Sequence, residues 1–208
     1  MMIIKTDVTK MGRISVFVDD EYVMSVDPDI WYSLDYTDGS EIDENELEEL
    51  KTLVDSRLAY SQALRFLTLR AHSADELYKK LLKKHSASCS HFAVEKCREL
   101  GFIDDFDFAQ RYAKELAEKK KYGESRIRQE LRLKGIDKDI IESVISEIEI
   151  DYSSSIIDII EKKYSGCLDD EKGRRRMFAG LMRLGFSYSD VKSALADYDF
   201  SVGDVDEY

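Results

Sequence analysis

Proline is almost missing: Pro28 is the only one in 208 residues. Proline breaks helix interiors, while loop-rich and all-β folds use it at their turns, so its scarcity points to helices. Cysteine is scarce as well. Cys89, Cys97 and Cys167 are an odd number without scaffold spacing, which argues against a disulfide framework and fits thiols in a reducing compartment. No stretch approaches the ~20 apolar residues of a membrane span. Residues 1–7 also lack the apolar core of a signal peptide, so we expect a cytoplasmic protein without membrane contact. The catalytic signatures GxGxxG, GxxxxGKS or GxxxxGKT, HExxH and GxSxG are all missing. The three histidines lie within one segment without an obvious nucleophile, so no residue is nominated for catalysis and no cofactor is expected.

Charge is plentiful: 36% of the residues are charged and 43% hydrophobic, with a net charge of −12. A globular domain carries about 25% charge, and long solvated helices account for the excess. The balance is uneven. Residues 1–60 hold 5 basic and 15 acidic groups, whereas residues 61–104 hold 8 basic and 5 acidic. An acidic total argues against a dedicated nucleic-acid binder, because such affinity comes largely from neutralising phosphates.

The segments Ile14–Val18 and Tyr22–Val26, on either side of Asp19-Asp20-Glu21, predict a β-hairpin. A hairpin is marginal alone, so it must lean on a neighbour. Ile42, Leu47, Leu50, Leu53 and Val54 offer one at helical spacing. Beyond residue 60 the pattern is helix after helix. Ser73 with Glu76 reads as a capping box before Leu77 and Leu81, and a third helix carries Phe92, Val94, Cys97 and Leu100 to a stop at Gly101. Asp104 caps a helix bearing Phe108, Tyr112 and Leu116, which Gly123 breaks; Ile127 and Leu131 then lead to Gly135, and Asp137 caps a helix with Ile141 and Val144. The cycle recurs with Ile156, Ile159 and Ile160, then Met177, Leu181 and Gly185, then Ser187-x-x-Asp190 before Val191.

Ile127, Leu131, Gly135, Ile141 and Ile145 meet Met177, Leu181, Gly185, Val191 and Leu195 fifty positions on, and Leu77 and Leu81 match Ile127 and Leu131 at the same offset. Such a period marks a repeat array. The expectation is a mainly α protein of three tandem three-helix repeats in an elongated array, with a small N-terminal β-hairpin plus helix. Its parts are an acidic lobe at 1–58, repeats at 59–104, 105–150 and 151–200, and a tail at 201–208. Such a chain works by binding a larger assembly.

Three motifs carry a resemblance. They are Ala63-Leu64-x-x-Leu67-x-x-Arg70-x-x-Ser73-x-x-Glu76-Leu77-x-x-x-Leu81, then Leu100-Gly101-Phe102-Ile103-Asp104-Asp105-x-x-Phe108-Ala109, then Gly123-x-x-x-Ile127-x-x-Glu130-Leu131-x-x-Lys134-Gly135-Ile136. In order and spacing the chain resembles the RecX regulators of the RecA recombinase over about residues 60–197. The resemblance implies a modulator that lies along the groove of the RecA filament on DNA and contacts several protomers. It would damp ATP turnover and strand exchange, and with them recombination, repair and the SOS response. The chain departs from the family at His85-Ser86, where a glycine usually ends the helix, and between Gly166 and Gly173.

The second helix of each repeat carries the informative chemistry. Lys79 with Lys83, and Lys80 with Lys84, are spaced to stack along one helix side, and Arg128 with Arg132 repeat the arrangement. With Arg70, Arg126, Lys134, Arg174, Arg175 and Arg176 they form the expected surface for partner or DNA. An ordinary solvated helix face is the competing reading of any one of them. The partner expected is the RecA filament on DNA, with weak, salt-sensitive direct contact to nucleic acid; oligomeric state stays open. A helical module acting directly on DNA is the runner-up, and an enzyme with an unrecognised site the third reading. The acidic lobe should sit away from DNA or dock on a basic protein surface. Asp104-Asp105 reads as a helix cap before a metal pair. His85, Cys89, His91 and Cys97 do not have zinc spacing, and Cys97 falls in line with the core. Phe66, Phe92, Phe108, Tyr112 and Phe178 read as core before base-stacking platforms.

Overall fold

Asp43 and Glu46 exchange hydrogen bonds with each other's backbone N–H, both at 2.8 Å, and so open the longest helix of the protein. In the computed structural model, which describes residues 1–167 and 170–196, this helix (α2, Glu44–Leu69) runs for 26 residues without interruption across positions 58 and 59. The end of the expected third repeat and the tail at 201–208 lie outside the described residues. Two compact units divide the chain, Met1–Ile103 and a second from Asp104 onward.

In the first unit the expected hairpin is present as β2 (Ile14–Val18) and β3 (Glu21–Val26). Asp19 and Asp20 turn it with φ of 49° and 66°, the doubly left-handed backbone that a two-residue hairpin loop requires. The hairpin is half of a larger structure: β1 (Met2–Val8) and the short β4 (Glu41–Ile42) complete an antiparallel sheet in the order β3-β2-β1-β4. Ile42 therefore belongs to a strand and not to the helix its spacing predicts. Ile4, Ile14, Val16, Val18, Val26 and Ile42 face inward onto Leu47, Leu50 and Val54 of α2. Trp31, at the end of the short helix α1 (Pro28–Trp31), closes that core.

The second half of α2 turns to different neighbours. Its Ala59 and Ala63 pack with Leu77 and Leu81 of α3 (Ala74–Leu81) and with Cys89, Ala93, Val94 and Cys97 of α4 (Ala87–Glu99). Ser73 and Ser86 cap α3 and α4, and Gly101 ends the trio with φ of 73°. Leu53, Phe92 and Leu100, assigned to the core by spacing, are exposed, while Val94 and Cys97 are buried.

The second unit holds two further trios: α5 (Asp105–Lys120), α6 (Glu124–Leu133) and α7 (Lys138–Glu147), then α8 (Tyr152–Lys163), α9 (Glu171–Arg183) and α10 (Tyr188–Ala196). Their cores keep the fifty-residue register. Leu77, Ile127 and Met177 are buried at one level, and Leu81, Leu131 and Leu181 at the next. Asp104 and Asp137 cap α5 and α7, and Ser187 and Asp190 form a reciprocal box before α10.

The joint between these two trios is made of backbone. Gly123 N–H donates to the Leu184 carbonyl at 2.9 Å, and Ser125 N–H to the Gly185 carbonyl at 3.1 Å, so the turn after α9 caps the start of α6. Gly123, expected as a helix breaker, is there for proximity: its φ is not left-handed, but a Cβ on it would stand 2.3 Å from the Gly185 carbonyl carbon. Tyr152 packs edge-on against Phe186 beside this joint, and burial, followed by the Glu124 and Asp190 charges, pushes its hydroxyl up to about 12. No helix among the described residues is long and apolar enough to cross a membrane.

Candidate functional site

Each expected cation can now be placed by what it already touches. Around α3, Arg70 ends α2 and grips Glu76 through two nitrogens at 3.0 and 2.7 Å while also donating to the Ala71 carbonyl. Lys79 pairs with Asp75 at 2.7 Å. Lys80 lies over the Phe66 ring and brings Nζ to 2.6 Å from His72 Nε2. Lys83 and Lys84 do not stack on Lys79 and Lys80, because α3 ends at Leu81 and both lysines lie in the exposed turn that follows. That turn is closed by the Lys84 and His85 N–H groups on the Leu81 carbonyl, and the His85 ring at its end is held between Asp55 at 2.6 Å and Gln62 at 2.9 Å, both on α2. Asp55 lies below the usual carboxylate range; burial pushes it up, but hydrogen bonds from His85 and the Ser86 N–H outweigh that.

On α6, Arg128 is committed within the fold. It reaches Glu124 and Glu142, both at 2.7 Å, and holds the Glu142 carboxyl below its ordinary value. Arg126 lies over Tyr122 and pairs with Glu130 at 2.8 Å, and Lys134 lies over Tyr112. On α9, Arg175 pairs with Glu171 at 2.5 Å, and Arg174 also has a partner. Of the expected cations, Lys83, Lys84, Arg132 and Arg176 are exposed and make no ion pair among the described residues. They stand on or just after the second helix of all three trios. Exposed pairs such as Lys79–Asp75 cost at most about 1 kcal/mol to exchange for another partner, so the paired cations remain a reserve while the four unpaired ones stand ready.

A residue that spacing did not nominate sits among them. His72 is buried, with Nδ1–H donating to the Arg70 carbonyl at 2.9 Å and Nε2 facing the Lys80 ammonium. The neutral ring satisfies both contacts. Burial first, and then the Arg70 and Lys80 charges, hold its pKa below 6.5, although the Arg70 carbonyl works the other way. The folded value being the lower one, the unfolded chain binds the extra proton. This contribution to stability is therefore complete above pH ~6.5 and is lost as pH falls below it. We expect the urea midpoint of the first unit to drop between pH 7.5 and 5.5, and His72→Gln to flatten that part of the profile; equal slopes for both proteins would contradict the geometry.

The superficial zinc set dissolves into packing. Cys97 is fully buried and its thiol is pushed up to about 11 by that burial, while the Cys89 thiol donates to the Thr52 carbonyl. Asp104 accepts from the N–H groups of Phe106 and Asp107, as a cap does.

Comparison with known proteins places the first two of these trios. Residues 59–97 match the first three-helix domain of RecX, and residues 104–145 match its second three-helix domain. The regulatory protein RecX of Chlorobium phaeobacteroides is 32% identical over 143 residues, spanning 68% of this chain and 93% of that one. That of Bacillus licheniformis is 28% identical over 196 residues, 92% of this chain and 74% of the relative. A crystal structure of a regulatory protein RecX superposes with a TM-score of 0.65 at 22% identity, covering 93% of this chain and all of that one, a likeness of fold.

Proposed function

The chain belongs to the RecX family, and from that premise we propose that it binds the RecA filament on DNA and lowers its ATPase and recombinase activity, thereby restraining recombination and repair. The observation that carries this reading is the recurrence of exposed, unpaired cations at the second helix of every trio: Lys83 and Lys84, then Arg132, then Arg176. A single such cation is an ordinary solvated side chain. A set that recurs on or just after the second helix of each trio, at different positions along it, offers several contacts to a repeating partner, as a filament is. The remaining expected cations and their neighbours set the strength. With Arg128 tied to Glu124 and Glu142, and the whole chain at −12, binding to free DNA is weak and depends on salt.

Regulation follows without a catalytic residue. A protein that binds one filament state more tightly than another shifts the population toward the first, by no more than the difference in the two affinities. Bound cations near phosphates and protein contacts beside them oppose the exchange of nucleotide and of strands.

Titration of the chain into RecA-coated single-stranded DNA tests the reading. ATP hydrolysis is expected to fall saturably, at concentrations where duplex DNA alone is not bound. Submicromolar binding to bare duplex with no effect on RecA would instead identify a module acting directly on nucleic acid.

A further inference from the structure

Two of the large side chains that helical spacing assigns to the core, Leu53 of α2 and Phe92 of α4, stand 43% and 51% exposed, and they line the same groove on the first unit. The packing explains why they are outside. The two helices meet through small residues, with the Ser56 hydroxyl donating to the Cys89 thiol at 3.3 Å and Ala59 buried in the same core as Cys89. An interface of such small side chains holds no leucine or phenylalanine at these positions, and Leu53 and Phe92 stand outside it. The groove lies where α2 passes from the sheet core to the core of the first trio.

Its lining carries two carboxylates and one cation. Glu48 and Glu49 are the carboxylates, and the cation, Arg57, donates to the Ser33 hydroxyl. Glu48 shares Lys51 in an exposed pair, which holds it only weakly. The surrounding residues 1–60 carry three acidic groups for each basic one. Such a surface repels a phosphate backbone. It also repels the end of this chain, since residues 197–208 contain Asp197, Asp199, Asp204, Asp206 and Glu207 and no lysine or arginine.

We propose that this groove docks a basic segment of a partner protein, one that seats a large apolar side chain between Leu53 and Phe92 and sets a lysine or arginine against Glu48 and Glu49. It deepens the filament reading, on which the partner's identity rests, by naming the surface that meets protein where the cations of the second helices meet DNA. The chemistry of the groove stands apart from that reading. An apolar centre within a charged rim is the arrangement in which one buried anchor supplies most of the binding and the rim selects the partner.

The test uses the full chain and a fluorescent fourteen-residue helical peptide of lysine and leucine, with a counterpart carrying glutamate for lysine. The lysine peptide is expected to bind and the glutamate peptide not to. Phe92→Ser, which leaves charge untouched at an exposed site, and Glu48→Gln with Glu49→Gln are each expected to weaken binding by about tenfold. Unchanged melting by circular dichroism verifies that each variant is folded. Equal binding of both peptides, or wild-type affinity in Phe92→Ser, overturns the proposal, as does self-association in sedimentation that Phe92→Ser abolishes without any peptide preference. A parallel measurement on RecA-coated DNA separates the two readings. If the wild type binds the peptide through Phe92 but ignores the filament, the groove stands and the filament reading falls; if it binds the filament but Phe92→Ser changes neither measurement, only the groove falls.

Discussion

Gly185→Ala is expected to lower the melting temperature of the second unit by about 10 °C or more. Two costs add. Gly185 has φ of 93°, a left-handed backbone in which a side chain costs about 1–2 kcal/mol. The added Cβ would also stand 2.4 Å from the backbone nitrogen of Arg126, and forcing apart a packed backbone contact costs about 1–3 kcal/mol. For a unit of this size each kcal/mol shifts melting by about 4–8 °C. Gly101→Ala is the control, since its φ of 73° is similar but nothing lies within 4 Å of the added atom. Gly123→Ala reverses the test: it has no left-handed strain but meets Gly185 at 2.3 Å, so it isolates the cost of the clash. If thermal unfolding finds Gly185→Ala no worse than Gly101→Ala, the backbone joint between α6 and the α9–α10 turn contributes little.

Reversing Lys83, Lys84, Arg132 and Arg176 together to glutamate is expected to weaken binding to RecA-coated DNA by about 100-fold at low salt. All four are exposed and outside the ion pairs that hold the helices, so melting should stay close to that of the parent. The salt dependence gives a second readout. Each phosphate that is no longer neutralised takes about 0.7–0.9 off the log-log slope of affinity against salt, so the reversed protein should bind with a flatter slope as well as more weakly. Wild-type affinity in this variant would refute the assignment of the surface to the second helices. A weaker affinity with an unchanged slope would show that these cations face protein acids and not phosphate.

The helical part of this fold was legible because its punctuation is chemical and local. Ser73, Asp104, Asp137 and the Ser187–Asp190 box do what their residue types and spacing imply, and Gly101, Gly135 and Gly185 all adopt left-handed φ. The sheet was legible only at its β2–β3 hairpin. Asp19-Asp20 marks that turn, whereas β1, which forms the neighbouring hairpin with β2, is hidden because Lys5, Thr6 and Asp7 interrupt its apolar run, and the two-residue β4 reaches Met2 from far along the chain. The continuity of α2 was hidden by a change of partner: Leu47, Leu50 and Val54 point to the sheet, and the small Ala59 and Ala63 that continue the buried stripe give a weak hydrophobic signal. The candidate cations could be found by type, but not sorted. Their sorting depends on carboxylates such as Glu142, which reaches Arg128 from another helix, and on the turn after α3, whose His85 is held by Asp55 and Gln62 of α2. Spacing also missed His72, because a ring between a carbonyl and an ammonium has no sequence signature beyond its neighbours Arg70 and Lys80.

The unbroken α2 has a mechanical consequence. At 26 residues it is a strut of about 39 Å, with the sheet gripping its first half and the first trio its second. The same rod carries Asp55 and Gln62, whose bonds to His85 tie the turn bearing Lys83 and Lys84 to it, so a partner holding the lobe would orient those lysines as well.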